Sequence, residues 1–221
     1  MVNELPELRG RAPVFRDRAA AGRELARLLE AYRGSDALIL AIPAGGVPVA
    51  AEVAAALRLS LDAVPVSKVL LPWTTESGFG AVAFDGSAWI DEQAREQWSL
   101  TQAQVQKALA DARAKVERRN ARLRRACPLP AIASRTVILI DDGIAAGSTM
   151  RTAIAALRRH APARIVVAVP TGHENALAAI ARLADEVCCA NVRGGFRFAV
   201  ADAYEMWRDV DEDEVVALLG L

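Results

Sequence analysis

Hydrophobic and polar positions follow two different periods along this chain, and the alternation of the two predicts strands and helices in turn. Consecutive or alternating apolar residues indicate buried strands at residues 36–42, 61–69, 136–141, 164–169 and 186–190. Apolar residues at helical spacing predict helices at residues 17–32, 48–57, 101–125, 148–160, 174–183 and 211–219. This order is typical of an α/β fold in which a doubly wound parallel sheet is flanked by helices.

Two segments fit that sheet less well. Residues 80–84 and 87–90 flank Asp85-Gly86 and predict a hairpin, so we assign residues 72–90 to a flap and hairpin insert. Residues 191–221 are assigned to a small C-terminal hood and the last helix. Residues 1–221 are then expected to form a single domain with these additions.

Composition limits the classes of function. The chain has 221 residues, 53% hydrophobic and 24% charged, which is typical of a globular protein with a sizeable core. Its 27 basic and 27 acidic residues predict no overall attraction to nucleic acid or membrane. The longest uncharged stretch, residues 37–51, is too short to span a bilayer, so we expect a soluble, cytoplasmic protein. Cys127, Cys188 and Cys189 lack metal-ligand spacing, and the last two are expected on opposite faces of a strand.

The strongest candidate site follows the strand at 136–141. Asp141 and Asp142 precede small residues at 143–149, whose backbone N–H groups can surround an anion at the start of the next helix. The carboxylates would repel phosphate, so we expect them to face sugar hydroxyls or a divalent cation bound through water. A turn in which the acids serve only as caps is the simpler alternative.

A second candidate site follows the first buried strand. Ala44, Gly45 and Gly46 lie at a strand end before a helix, where backbone groups can bind an anion. Lys68 is a cation within an apolar stretch at the end of the next strand, and lysine is rarely buried without a partner. A tight turn and a lysine extending to solvent are the alternatives. The basic residues at 113–125 are expected to form a solvated helix face, and His173 a helix cap.

Residues 137–149 resemble the phosphoribosyl-pyrophosphate (PRPP) signature of the type I phosphoribosyltransferases, in a branch whose acceptor is unknown. Ala146 and Ser148 depart from the family's usual Thr and Gly. The resemblance implies that the PRPP-binding residues are Asp141, Asp142, Gly143, Ile144, Ala145, Ala146, Gly147, Ser148 and Thr149, with Asp141 and Asp142 also at a Mg²⁺ ion. It implies pyrophosphate binding by Ala44, Gly45, Gly46 and Lys68, although that branch usually carries Arg where this chain has Ala44.

Residues 72–82 resemble the family's flap, which implies catalytic roles for Lys68 and Glu76. The implied reaction moves a 5-phosphoribosyl group between PRPP and a nitrogenous base or related acceptor, with release of pyrophosphate, in a homo-oligomer such as a dimer. Ala145 replaces the acid that is usual in enzymes acting on 6-oxopurines, which argues against that acceptor. One alternative is a non-catalytic PRPP- or nucleotide-sensing regulatory protein, because Ala44 and Ala146 remove contacts. A nucleic-acid-binding role for the basic helix is the other.

Overall fold

The computed structural model describes residues 2–74, 77–124 and 128–221. The strands are β1 (Val2–Asn3), β2 (Leu38–Ala41), β3 (Ser60–Ala63), β4 (Val66–Leu70), β5 (Gly78–Ala83), β6 (Ala88–Ile90), β7 (Thr136–Ile140), β8 (Arg164–His173) and β9 (Glu186–Arg193). The α-helices are α1 (Arg18–Leu28), α2 (Gly46–Leu57), α3 (Glu92–Gln97), α4 (Gln102–Leu123), α5 (Ser148–Arg158), α6 (Glu174–Ile180) and α7 (Glu212–Leu219).

Within the described residues, the main sheet has six strands in the order β1-β9-β8-β7-β2-β3, and all of its neighbouring strands are parallel. One face packs against α5 and α6 through residues such as Ile154 and Leu177. The opposite face packs against α1, α2 and α7 through residues such as Leu25, Val53 and Val215. Burial on both faces explains why β7 is apolar from Val137 to Ile140. The predicted parallel α/β fold with helices on both faces is confirmed.

The single strand predicted at residues 61–69 is wrong. The chain forms β3 in the main sheet and then β4, which pairs with β5 in a separate antiparallel sheet of order β4-β5-β6. Pro65 lies between the two strands and cannot donate a ladder hydrogen bond, which is consistent with the interruption there. The predicted hairpin is confirmed by pairs such as Gly80↔Ile90 and Val82↔Ala88. Its role as a flap stays a prediction.

The long helix α4 lies on this second sheet. Val105, Leu109, Ala112 and Val116 recur at helical spacing and pack against Val69 and Val82. Thr101 caps the helix in a reciprocal arrangement with Gln104. Asn120 Nδ2 donates a hydrogen bond to the Phe84 carbonyl at 2.7 Å, which ties the far end of α4 to the hairpin. One stripe of α4 is thereby buried, and the remaining faces are left for other contacts.

Three strand and helix ends differ from expectation. β8 continues to His173 and β9 to Arg193, so residues 191–193 belong to the main sheet rather than to the C-terminal tail. The first helix ends at Leu28 and is followed by a separate 3₁₀ turn at Glu30–Tyr32. Asp17 begins α1 by accepting a hydrogen bond from the Ala20 N–H at 2.8 Å.

The cysteines pack as predicted where the structure describes them. Cys188 lies in the core on the α1 side of the sheet and Cys189 in the core on the α5 side, so adjacent residues do face opposite ways. Burial raises the pKa of the Cys188 thiol to about 12. Cys127 lies outside the described residues. Among the helices that the structure describes, none is both long and apolar enough to cross a membrane.

Candidate active-site cleft

A cleft of about 1120 Å³ opens where β2 and β7 end. It brings together most of the site residues predicted from the sequence: Ala44, Lys68 and residues 141–149 all line it. Gly45 and Gly46 lie behind this lining, in contact with the two acids. Glu76 lies outside the described residues. The position agrees with the rule that ligands bind at the carboxyl ends of parallel strands.

The loop at residues 143–149 presents unused backbone donors. The Ile144 N–H donates to the Thr171 carbonyl at 3.0 Å, and the His173 N–H donates to the Ile144 carbonyl at 2.8 Å, so the strand β8 fixes the loop. Within the described residues, the N–H groups of residues 145–150 donate no hydrogen bond. Gly147 has a φ of 83°, the left-handed conformation that turns the chain into α5. The N-terminus of α5 and these free donors have the arrangement that can accommodate an anion.

The two acids lie side by side and affect each other. Asp141 Oδ1 accepts a hydrogen bond from the Asp142 N–H at 2.9 Å. Burial, together with the negative charge of Asp142, raises the pKa of Asp141 well above its usual value. Burial also raises the pKa of Asp142, although the positive charge of Arg18 opposes that rise. Lys68 lowers both pKa values, so its ammonium acts on the acid pair.

Arg18 is the site residue that sequence reasoning missed. Its guanidinium is buried, and Nε and Nη2 each lie 2.9 Å from Asp142 Oδ2. Nη1 donates to the Arg208 carbonyl at 2.7 Å, and the guanidinium carbon lies 3.9 Å from the Trp207 ring centroid. The available signal was its spacing: position 18 shares the buried face of α1 with positions 21, 22 and 25.

The loop at residues 43–46 directly touches the loop that carries the two acids, residues 141–149 (the acid loop). A Cβ on Gly45 would lie 2.0 Å from Asp142 Oδ2, and one on Gly46 would lie 2.8 Å from the Ile140 carbonyl oxygen. Both positions therefore require glycine for the two loops to approach each other. The Pro43–Ala44 peptide is cis. The N–H groups of Ala44 and Gly45 donate to no acceptor among the described residues, so this loop has a second set of backbone donors available to an anion.

The C-terminal tail forms a further part of the cleft wall through residues 198–201 and Trp207. Buried Arg193 holds this segment: Nη2 donates to the Ala199 carbonyl at 2.8 Å, and the guanidinium lies 4.3 Å from the Phe198 ring centroid. Val200 fits closely against the acid loop, because a Cβ on Gly143 would lie 2.5 Å from its side chain. The wall therefore combines an aromatic ring and small apolar groups, which suits one face of a planar ligand.

The basic helix is only in part the solvated face that the sequence predicted. Lys115 and Arg118 line the cleft, whereas the guanidiniums of Arg119 and Arg122 bind Glu212 and Asp213 at the start of α7. His173 caps α6 as predicted, since its Nδ1 accepts a hydrogen bond from the Asn175 N–H at 3.3 Å.

Comparison with known proteins assigns the family. Residues 16–203 match the family model described as phosphoribosyl transferase domain. This chain belongs to that family. It is 36% identical over 206 residues to a Mycobacterium tuberculosis (strain H37Rv) protein that is provisionally named phosphoribosyl transferase Rv0571c. The alignment covers 93% of this chain but 46% of the relative, so the chain spans about half the length of that protein.

Two solved structures share the fold of this chain. The crystal structure of TT1426 from Thermus thermophilus has a TM-score of 0.74 and 35% identity, and the match covers 93% of this chain and 97% of the other. A hypothetical protein from Neisseria gonorrhoeae, solved with bound ppGpp, has a TM-score of 0.50 and 15% identity over 100% of this chain and 97% of the other. At that identity the second likeness concerns the fold alone.

The donors available to a metal in this phosphoribosyl transferase domain are few. Among the described residues, no group of three or more His, Cys, Asp or Glu side chains is placed to hold a metal ion. Asp141 and Asp142 offer carboxylate oxygens, but Asp142 is already bound to Arg18. Mg²⁺ is commonly bound by one or two carboxylates, water and substrate phosphates. The residues therefore fit an ion that arrives with a phosphorylated ligand rather than one held by the protein alone.

Proposed function

We propose that this protein is a phosphoribosyltransferase that moves the 5-phosphoribosyl group between PRPP and a nitrogenous base or related acceptor. The observation that supports this most strongly is the set of unused N–H groups at residues 145–150, beside an acid pair and a second anion loop in one cleft. PRPP has a phosphate at one end, a diol in the middle and a pyrophosphate at the other end. The three parts of the site correspond to these three parts in chemistry and in order.

Each part of the site binds a different part of PRPP in this proposal. Residues 143–149 bind the 5′-phosphate through backbone donors and the N-terminus of α5. Asp141, with Asp142 held in place by Arg18, accepts hydrogen bonds from the ribose hydroxyls. The backbone donors of Ala44 and Gly45, together with the Lys68 ammonium, bind pyrophosphate. Glu76 and its segment are proposed to cover the site and exclude water.

The reaction itself breaks one bond and forms one bond at the ribose C1 carbon. The C1–oxygen bond to pyrophosphate breaks, positive charge develops on the sugar, and a nitrogen lone pair of the acceptor forms the new C1–N bond. Pyrophosphate departs with the electron pair of the broken bond, and the acceptor's proton passes from that nitrogen to the departing pyrophosphate or to water. The protein's part is to position both reactants and to stabilise the separating charges. Bound with PRPP, Mg²⁺ would offset the negative charge of the pyrophosphate.

The acceptor would lie against Phe198, residues 199–201 and Trp207. Ala145, which is exposed in the acid loop, has no group that could exchange a proton with a base. A 6-oxopurine acceptor is therefore disfavoured, and an acceptor that needs no acid from this position is favoured.

A pyrophosphate-release assay tests the proposal. PRPP and magnesium are incubated with the protein and a panel of purines, pyrimidines and simpler amines, and released pyrophosphate is measured. Acceptor-dependent release that is lost in Asp141→Asn supports the transferase. As a matched control, Asp185→Asn lies on the surface away from the cleft and should retain the activity. Tight PRPP binding without release for any acceptor would instead favour the regulatory alternative, and absence of binding would refute both.

A further inference from the structure

One stripe of α4 faces the cleft and carries several cationic side chains. The residues of α4 that line the cleft are Gln104, Lys107, Ala108, Asp111, Ala112, Lys115 and Arg118, and their spacing of three or four places them on one side of the helix. Lys107 is paired with Asp111 at 2.7 Å. Within the described residues, no acidic side chain forms an ion pair or hydrogen bond with Lys115 or Arg118.

This end of α4 is held against the loop at residues 43–46. Arg119 Nη1 donates a hydrogen bond to the Pro43 carbonyl at 3.2 Å, and Glu212 binds the same guanidinium. Because Arg118 precedes Arg119 and Lys115 lies one turn before it, both cleft-facing cations are within about one helical turn of the residue that contacts the loop. Ala44 adjoins that carbonyl and contributes no charge of its own.

The local charges are mutually repulsive in the absence of a ligand. Partial burial lowers the pKa of the Lys115 ammonium, and the positive charges of Arg119, Arg118 and Lys68 lower it further, against the single opposing charge of Glu212. Like charges three and four residues apart also destabilise a helix. Lys68 lines the same cleft, and its charge acts on Lys115 and on the acid pair alike.

We propose that Lys115 and Arg118 bind the pyrophosphate end of the ligand and supply from α4 the cationic contacts that the Pro43–Gly46 loop lacks. The inference rests on the proposed function and adds two binding residues to it. The Pro43–Gly46 loop offers only backbone donors, and a diphosphate group carries several negative charges that are best bound by directed cationic donors. A helix anchored to the loop by Arg119 presents those donors in the lining of the same cleft.

Isothermal calorimetry with three ligands tests this assignment. The ligands are inorganic pyrophosphate with magnesium, PRPP with magnesium, and ribose 5-phosphate, which has no pyrophosphate. The proteins are the wild type, Lys115→Ala, Arg118→Ala, the double variant and Arg113→Ala. Arg113 is the control because it removes the same charge from an exposed position of the same helix that does not line the cleft. Lys115→Gln and Arg118→Gln repeat the test with longer polar side chains.

We expect each cleft-facing substitution to weaken pyrophosphate and PRPP binding by about 5- to 30-fold, between the values for exposed ion pairs and for charge-assisted hydrogen bonds. Ribose 5-phosphate should bind as in the wild type, and Arg113→Ala should bind all three ligands normally. The melting temperature without ligand should stay the same or rise in Lys115→Ala, because a like-charge contact is removed. That combination distinguishes a binding role from a structural one.

Other results overturn the assignment in distinguishable ways. Unchanged PRPP affinity in the double variant would refute the role of α4 and leave the transferase proposal intact. Equal weakening of ribose 5-phosphate, or equal weakening by Arg113→Ala, would indicate a structural or general electrostatic effect and would also refute it. A wild type that binds neither PRPP nor ribose 5-phosphate would refute the inference together with the proposed function.

Discussion

The ion pair of Arg18 and Asp142 gives the sharpest stability prediction. Both side chains are largely buried, with 9% and 16% of their side-chain surfaces exposed, and two guanidinium nitrogens lie 2.9 Å from one carboxylate oxygen. Arg18→Met would remove the charge while keeping much of the volume. It would leave Asp142 ionised beside Asp141 and free the Arg208 carbonyl. Breaking a buried pair from one side typically costs about 3–5 kcal/mol, and we expect that loss in the free energy of unfolding.

Asp142→Asn should cost less. The amide oxygen can still accept a hydrogen bond from Arg18, and the repulsion with Asp141 disappears. The buried guanidinium nevertheless keeps its positive charge, because arginine does not deprotonate in proteins. We expect a loss of about 1–3 kcal/mol, the usual penalty for a weakened buried charged contact. Because the two residues share one contact, the double variant should lose less than the sum of the single losses. Two-state urea unfolding monitored by circular dichroism measures all three values.

The loss in Arg18→Met should depend on pH. Without the guanidinium, the raised pKa of Asp142 rises further, so the folded state binds a proton more readily than the unfolded state. The free energy of unfolding of the variant then falls as pH increases through the folded pKa. The difference in stability between the wild type and the variant therefore grows as pH rises. Single losses below about 1 kcal/mol that add without coupling, or a deficit that shrinks as pH rises, would refute the buried-pair interpretation.

Three further variants probe the cleft. Asp141→Asn should raise the melting temperature at neutral pH while weakening PRPP binding. The pKa of Asp141 is raised in the folded state, so the stability of the wild type falls as pH rises from the ordinary value of 3.8 through the folded pKa. An amide does not ionise and therefore abolishes this loss of stability. Its thermal advantage should grow with pH, and a constant advantage would contradict this. Gly45→Ala should displace the Asp142 carboxylate and cost about 1–3 kcal/mol in urea unfolding, whereas unchanged stability would show that the loops can separate freely. Arg193→Met should release the Phe198 wall and raise the KM for the acceptor more than the KM for PRPP in steady-state assays, and equal increases would count against a role confined to that wall.

The elements that were predictable are those whose signal is local. β7, its two acids and its small-residue loop occupy consecutive positions, so one segment specifies the strand, the turn and the start of α5. Thr101 and Asp17 were recognisable helix starts because a capping side chain bonds within three residues. The anion loops followed from the rule that parallel strands present ligands at their carboxyl ends.

The pairing of strands that lie far apart in the sequence could not be predicted from the local pattern. The alternation at residues 61–69 fits a strand, but it does not tell whether the chain stays in one sheet or passes to another at Pro65. The strand predicted at residues 164–169 continues through Pro170 as β8. Because β7 stops opposite Ala168, one edge of β8 has no neighbour from β7 at the proline, and the missing donor is tolerated. These outcomes depend on where neighbouring strands end.

The hydrogen-bond partners of buried polar side chains could not be predicted from the local sequence either. Asn191 and Arg193 were assigned to the C-terminal tail, although both are buried in β9. In the structure Asn191 Oδ1 accepts from the Thr171 hydroxyl at 2.8 Å, and Arg193 Nε donates to that same hydroxyl oxygen at 3.1 Å. A polar side chain can be buried when its partners are arranged around it, and the partners here come from a different strand.

The distribution of charge around the cleft gives the proposed chemistry its physical basis. Asp141 and Asp142 repel each other on one side, while Lys115 and Arg118 repel each other on the α4 side, with Lys68 acting on both groups. Each group is unfavourable in the protein alone, and each would be relieved by a ligand that brings hydroxyls or a metal ion to the acids and phosphates to the cations. A ligand that binds only the folded, pre-arranged site recovers that free energy on binding. The same arrangement would favour the transition state further, because the leaving pyrophosphate gains negative charge at the cationic wall as the C1–oxygen bond breaks.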